Sequence, residues 1–383
     1  MAPSSRNYGL DLCRAVAILL VLASHWLETL SGAPESIPTL YLLTGYVGVE
    51  LFFSLSGFLI GGILIDLAEG GLSGGAISIF YLRRWLRTLP AYYAVLAILC
   101  WIYGRFDAPS FLFVQYFVPG AANFLPVSWS LTMEEYFYLF FPLLILAFAH
   151  SRHKLPRGLT PVEAAALTLA ILFPLLRLGA IIPRLPFPDL SFHGHPVMRL
   201  DCCAYGVLAA CVQRRYPEQL RRFFQGWSPA AAFGLASLVV LAWIGLFLIT
   251  ADFPLFAFLK GNYWGPVYFA LQGTLLDAPA AMAVLYASYR PAPPNRLFDA
   301  PVRLISRLSY SLYLVNGSVQ AFLLAYTPLG HRMGLAALIV PLATLAAAGS
   351  IYLLVERPAL ALRDRFVRER PLAEPVLPFT PVP

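Results

Sequence analysis

Apolar runs of about twenty residues recur from one end of this chain to the other, separated by short stretches that carry arginine. One helix needs about twenty mostly apolar residues to cross a hydrocarbon core. In that medium the backbone has no water to bond to, so each run must satisfy its own N–H and C=O groups and is expected to be helical. The runs are 9–29, 45–68, 86–104, 130–149, 162–182, 197–213, 229–250, 265–289, 305–327 and 333–355. They predict an all-α polytopic membrane bundle of about ten transmembrane helices. The Phe-rich stretch 111–125 is too short to span and is expected at the interface or as a re-entrant segment. Only 12% of the 383 residues are charged and 59% are hydrophobic. Soluble domains carry roughly 25% charged residues, so a soluble fold is excluded. Little chain is left over, which predicts one transmembrane domain over residues 1–365 and a Pro-rich, disordered cytosolic tail over 366–383. The first run carries Arg14 and His25 and lacks a clean small-residue cleavage pattern, so it reads as a retained helix.

The net charge of +7 raises nucleic acid as a partner, but its distribution argues for lipid instead. With the N-terminus in the cytosol, twenty of the 27 Lys and Arg residues fall in cytosolic segments and five in outer ones. Arg14 and Arg177 lie within the runs. This is the positive-inside pattern, and it predicts both termini in the cytosol of a cell inner membrane. The five cysteines are odd in number, lie in or beside apolar runs and form no CxxC, so neither a disulfide framework nor a metal site is expected.

Ionisable groups within a span are unfavourable and usually functional. In the first run, Arg14 and His25 stand 11 residues apart. That spacing puts them on one helix face, roughly 20° off register and about 16 Å apart along the axis. Asp11, one turn before Arg14, is placed to pair with it. Arg14 falls near the cytosolic side and His25 in the outer half. Glu50 opens the second run, Glu134 and Glu135 begin the fourth, and Arg199 and Asp201 begin the sixth, all near the outer side. Depth sorting therefore predicts that His25 and these five residues converge in the outer half. At the cytosolic side, FYLRRWLRTLPAYY sets Arg83, Arg84 and Arg87 around Trp85 at the end of a loop. Arginine forks suit phosphate oxygens and the indole offers a stacking face, a combination suited to a nucleotide. A pantetheine arm about as long as five extended residues reaches roughly 17 Å, which matches the separation of Arg14 from His25. The alternative is a secondary transporter, in which the same groups relay protons; no internal repeat of the kind transporters show is visible.

Six motifs occur in order: Arg14 with ten residues before His25, GVELFFSLSGFLI, RRWLRTLPAYY, WSLTMEEYFYLFFP, SYSLYLVN and VERP. Together they resemble acyltransferase family 3, the integral-membrane O-acyltransferases of bacterial surface glycans, lipopolysaccharide, nodulation factors and some antibiotics. The resemblance runs from Leu10 to about Arg365. It implies an acyl-CoA donor, most often acetyl-CoA, a hydroxyl acceptor on a glycan or lipid-linked carbohydrate, and an essential Arg14 and His25. Many members have histidine where this chain has Asn316. No permanently bound cofactor is expected. The roles that follow are donor binding for Arg14, Arg83, Arg84, Trp85 and Arg87, and catalysis for His25 and Arg14 with Glu134 and Glu135. Acceptor binding falls to Glu50, Trp129, Arg199 and Asp201. A histidine is suited to general-base work near neutral pH, with a carboxylate among Glu50, Glu134 and Glu135 holding its tautomer.

The topology is tested with single cysteines on a background freed of the native ones. An impermeant thiol reagent applied to intact cells should label Glu35→Cys and leave Lys154→Cys unlabelled; the reverse pattern would invert the bundle.

Overall fold

The computed structural model describes residues 7–31, 38–118, 124–180, 196–250, 264–291 and 296–369. Helix α1 (Tyr8–Ser31) starts beside Asn7, whose Oδ1 accepts from the Leu10 N–H at 3.2 Å and relieves one of the donors a helix start leaves free. It lies antiparallel to α2 (Pro38–Glu69), with Gly45 against Ser24 and Gly48 against Ala17 and Val21. Helix α3 (Gly74–Tyr103) is N-capped by Ser73, which accepts from the Ala76 N–H. It therefore begins twelve residues before the run at 86–104, and Arg83, Arg84 and Arg87 stand on its helical surface rather than in a loop. A short α4 (Ala108–Phe111) and a 3-10 turn at Gln115–Phe117 occupy the Phe-rich stretch. Both are tied down by side chains: Tyr92 donates to the Ser110 carbonyl, and Gln115 donates to the Ser128 and Thr132 hydroxyls. Residues 119–123 of that stretch lie outside the described residues.

The remaining helices are α5 (Ser128–His150), α6 (Pro161–Ala180), α7 (Asp201–Arg215), α8 (Pro217–Gln225), α9 (Pro229–Thr250), α10 (Trp264–Ser288), α11 (Arg296–Tyr326) and α12 (Met333–Ile351). A π-helical turn at Tyr352–Glu356 joins α12 to α13 (Arg357–Glu369). Strands are absent among the described residues. Interior prolines such as Pro90, Pro142 and Pro341 interrupt single hydrogen bonds without ending their helices, as is common where neighbouring helices support the backbone.

Among the described residues, seven stretches are long and apolar enough to cross a membrane: Tyr8–Leu27, Thr44–Glu69, Gly74–Tyr103, Ser128–His150, Pro161–Gly179, Pro229–Leu246 and Gly334–Phe366. The chain is a multi-pass membrane protein. The runs at 197–213, 265–289 and 305–327 are also helical but fall below that standard among the described residues. Helix α7 has only 15 residues, about 22 Å of rise against a core of about 30 Å. Its apolar character comes from burial between neighbours: Cys202, Cys203, Ala204 and Val207 are fully enclosed. Helix α11 opens with Asp299, Arg303 and Arg307, which dilute its hydropathy. By contrast α9 buries almost none of its apolar surface in the protein, with Phe233 and Leu241 exposed, as suits a lipid-facing helix. The domain boundary expected at residue 365 falls inside α13, so 366–369 is helical and not tail; residues 370–383 lie outside the described residues.

A tight seam runs between α2 and α7. A Cβ on Gly57 would stand 1.9 Å from the Cys203 carbonyl oxygen, and one on Gly206 2.1 Å from that of Ser54. Such small-residue contacts let helix backbones meet in lipid, where packing and not the hydrophobic effect drives association. Gly57→Ala and Gly206→Ala should each lower stability by about 1–3 kcal/mol or more, read as thermal unfolding in detergent. Gly62→Ala, whose Cβ would meet nothing within 4 Å, should be neutral or mildly stabilising.

Candidate active site

A cavity of about 580 Å³ opens in the bundle between α1, α2, α3, α5, α11 and α13. Arg14, Arg83, Arg84, Arg87 and Glu134 all line it, so five of the residues expected from sequence share one wall. Arg14 Nη1 meets Asp11 Oδ1 at 3.3 Å, the pair anticipated one helical turn apart. The Asp11 carboxylate also accepts from Ser306 Oγ at 2.7 Å, which ties α1 to α11. Arg84 lies over the Tyr138 ring, 5.4 Å from its centroid. Trp85 turns away: it stacks on Tyr81, 43% exposed, and does not line the cavity. Its expected role beside a nucleotide base is not supported by this placement.

The carboxylates do not converge on His25. Glu135 accepts from Thr88 Oγ1 at 2.7 Å, one residue past Arg87, so it sits at the level of the arginines. Glu134 faces the Ser56 and Tyr138 hydroxyls with Arg84 and Arg87 nearby. The expected convergence of this pair with His25 is corrected: Gly317 is flanked by both His25 and Val127, and Glu134 lies about two turns further along α5. Trp129 stands edge-on to Phe53, behind the cavity wall.

Glu50, Arg199 and Asp201 form a separate buried network. Arg199 Nη2 reaches Glu50 Oε1 at 2.5 Å and Cys202 Sγ at 3.1 Å, and its guanidinium lies over the Tyr46 ring. Asp201 takes both arms of Arg177 at 2.7 Å. Thr274 Oγ1 completes that group at 3.3 Å. Asp277 adds a second wholly buried carboxylate beside Glu50, and ligand atoms of Glu50, Cys202 and Asp277 lie within 4.8 Å of one another. That spacing suits a cation, but the Arg199 guanidinium already supplies the positive charge there. None of these residues lines the cavity, so the network reads as the brace that holds α2, α6, α7 and α10 together rather than an acceptor site.

His25 Nδ1 is hydrogen-bonded to Asn316 Oδ1. The Asn316 amide nitrogen is already engaged, donating to the carbonyls of Leu312 at 3.0 Å and Tyr313 at 2.7 Å. Its oxygen must therefore be the atom facing the imidazole, so Nδ1 carries the hydrogen, and in the neutral ring Nε2 holds the lone pair. The described tautomer-fixing partner is an amide and not one of the three expected carboxylates. Helix α11 links this pair to the cavity: Ser309, Tyr310 and Tyr313 line it, and Asn316 follows one turn beyond Tyr313. Tyr313 is held by Ser130 at 2.6 Å, and Tyr310 donates to the Thr88 carbonyl. Sequence reasoning passed over Tyr310, Tyr313, Asp277 and Arg363. The motif SYSLYLVN contained the tyrosines, and their spacing of three was the available signal. His25 itself is not part of the cavity wall.

Residues 7–355 match a family described as an acyltransferase domain, acyltransferase 3. Peptidoglycan O-acetyltransferase OatA of Listeria monocytogenes is 26% identical over 343 residues, 81% of this chain and 49% of that protein. The chain thus spans about half the length of that relative. Nodulation protein 10 of Rhizobium leguminosarum is 25% identical over 406 aligned positions, 96% of this chain and 97% of that protein. No solved structure matches the chain.

Two kinds of arginine are thus present, and stability separates them. Arg199→Ala leaves Glu50 and Asp277 buried without their cation and should destabilise by about 3–5 kcal/mol. Arg84→Ala removes a cavity-wall contact to Tyr138 and should stay within about 1 kcal/mol of wild type. Thermal unfolding of the purified variants in one detergent reads both.

Proposed function

Because the chain belongs to acyltransferase family 3, we propose that it passes an acyl group, most simply acetyl, from cytosolic acyl-CoA to a hydroxyl of an extracytoplasmic or lipid-linked glycan. The proposal includes ten spans, both termini in the cytosol, and residence in a cell inner membrane. One observation carries it: a cavity lined by five arginines is joined through α11 to a histidine whose Nδ1 is held by Asn316. The printed name of one relative, a peptidoglycan O-acetyltransferase, points the same way.

The roles follow from charge and depth. Arg84 and Arg87 hold the coenzyme's diphosphate through charge-assisted bonds. Arg14, steadied by Asp11, orients the arm or the thioester carbonyl. His25 Nε2 takes the proton of the acceptor hydroxyl as its oxygen attacks the thioester carbon. The carbon–sulfur bond then breaks, and the sulfur leaves as a thiolate that receives the proton from the imidazolium. Asn316 is a positioning residue for that base, and Glu134 and Glu135 orient the hydroxyls and arginines at the donor end. Phosphates remain on the cytosolic side because moving them through hydrocarbon is prohibitive; only the thin pantetheine arm enters.

Membranes containing the protein should move label from acetyl-CoA to a glycan fraction. Arg87→Ala should raise the KM for acetyl-CoA at least tenfold with a smaller effect on kcat, since one charge-assisted bond is worth about 1.5–3 kcal/mol. His25→Gln should lower kcat by about 10²–10⁴-fold with donor affinity kept, because glutamine bonds but takes no proton. Full turnover in His25→Gln, or flux of an intact solute without loss of thioester, would remove this reading.

A further inference from the structure

Helix α13 follows the family match, which ends at residue 355, and it brings a cation to the cavity that no motif contained. Arg363 lines the mouth together with Asp364. Its position is set from within the bundle. Glu356, buried at the end of the π-helical turn, accepts from Ser311 Oγ at 2.6 Å and pins the start of α13 to α11. Arg363 is seven residues further on, two helical turns along nearly the same face. Helix α13 packs on α3, and this places Arg363 opposite Arg83. Arg83 lies within electrostatic range of both Arg363 and Asp364. Asp364 already accepts from Arg363 Nε and Nη2, at 2.9 and 2.6 Å. Arg83 Nε is buried and meets no acceptor among the described residues. Two guanidiniums from different helices thus line one cavity within electrostatic range of each other, and the one carboxylate beside them is bonded to Arg363. Like charges so placed repel unless an anion joins them.

The cavity wall carries five arginines, Arg14, Arg83, Arg84, Arg87 and Arg363, against only two carboxylates, Glu134 and Asp364. The arginines are also ordered in depth. Arg87 is one turn further along α3 than Arg83, and its neighbour Thr88 reaches Glu135 and Tyr310 inside the bundle. Arg83 and Arg363 therefore form the outer rim, and Arg84 and Arg87 the inner one. Acyl-CoA carries its anions in the same order. Its diphosphate adjoins the pantetheine arm, and its 3′-phosphate monoester hangs on the ribose, further from the thioester.

We propose that Arg83 of α3 and Arg363 of α13 form a subsite for the 3′-phosphate monoester of the donor, so that α13 selects coenzyme A thioesters over thioesters lacking that phosphate. The inference rests on the donor reading above and adds the recognition of one particular group. A dianionic monoester between two guanidinium forks accepts bidentate bonds from both sides and cancels their repulsion.

The test is equilibrium binding of acetyl-CoA and acetyl-3′-dephospho-CoA to the full chain in phosphatidylcholine nanodiscs. Wild type should bind acetyl-CoA at least tenfold more tightly than the dephospho form. Arg363→Gln should bring that ratio to about one, and Arg363→Lys should leave an intermediate ratio, since lysine keeps the charge without the fork. A melting temperature within a few degrees of wild type in both variants makes the ratio interpretable, and the lysine variant serves if glutamine disturbs α13. A wild type that binds both thioesters equally, or an Arg363→Gln variant with the wild-type ratio, overturns the subsite and leaves the donor assignment standing. A wild type that binds neither thioester overturns the donor assignment and the subsite with it. Repeating the titrations with added phosphatidylglycerol separates a lipid headgroup. If Arg363→Gln loses only a dependence on anionic lipid while the donor ratio persists, the pair holds lipid and the subsite is overturned.

Discussion

Hydrocarbon does not stabilise charge, so every ionisable group in this bundle must find its partner within the protein or face a water-filled space. That constraint sorts the polar residues into two sets. Arg199, Glu50, Arg177 and Asp201 are almost wholly buried, and they balance one another in direct contacts between helices distant in sequence. Arg83, Arg84 and Arg87 stand on one helix and line a cavity with few carboxylates to answer them. The first set closes the structure; the second leaves it in need of an anion. The difference between the two sets of arginine is thus one of charge balance, not of residue type.

The same rule explains why α1 is central. Its Asp11 joins Arg14 to Ser306, and its His25 joins Asn316, so two points along α1 are clamped to α11. The cavity wall lies between these clamps on the α11 side, where Ser309, Tyr310 and Tyr313 face it. The arginine-lined cavity and the histidine are thus joined through one helix, α11.

Some expectations from sequence failed for identifiable reasons. Depth sorting assumed that residues near the same helix end lie side by side. Glu134 and Glu135 break that assumption, because α5 enters the bundle with Ser128 buried and reaches the arginine level within two turns. The run at 197–213 looked like a span because burial among neighbours and burial in lipid select the same small apolar side chains, and only the length of α7 tells them apart. Trp85 stood between cavity-lining arginines in sequence, yet consecutive helical residues point about 100° apart, so the arginines at 84 and 87 share a face that the indole leaves. Asn316 had the opposite fate. Its motif marked it, but only the two carbonyls at its amide nitrogen identify it as the group that sets the His25 tautomer.

Sequence alone determined the class of molecule, because the periodic alternation of apolar runs with arginine-bearing breaks has no other stable outcome than a helical membrane bundle. It also determined the local pairs, Asp11 with Arg14 and the face shared by Arg14 and His25, since helical geometry converts residue spacing directly into position. The tertiary structure decided which charges cancel and which stay open, for that depends on helices far apart in the chain. Arg177 meets Asp201 and Arg199 meets Glu50 across 24 and 149 residues, and Arg363 arrives at the cavity from a position outside every motif. No spacing rule reaches across such distances; only the packing of one helix surface against another sets which partner each charge finds.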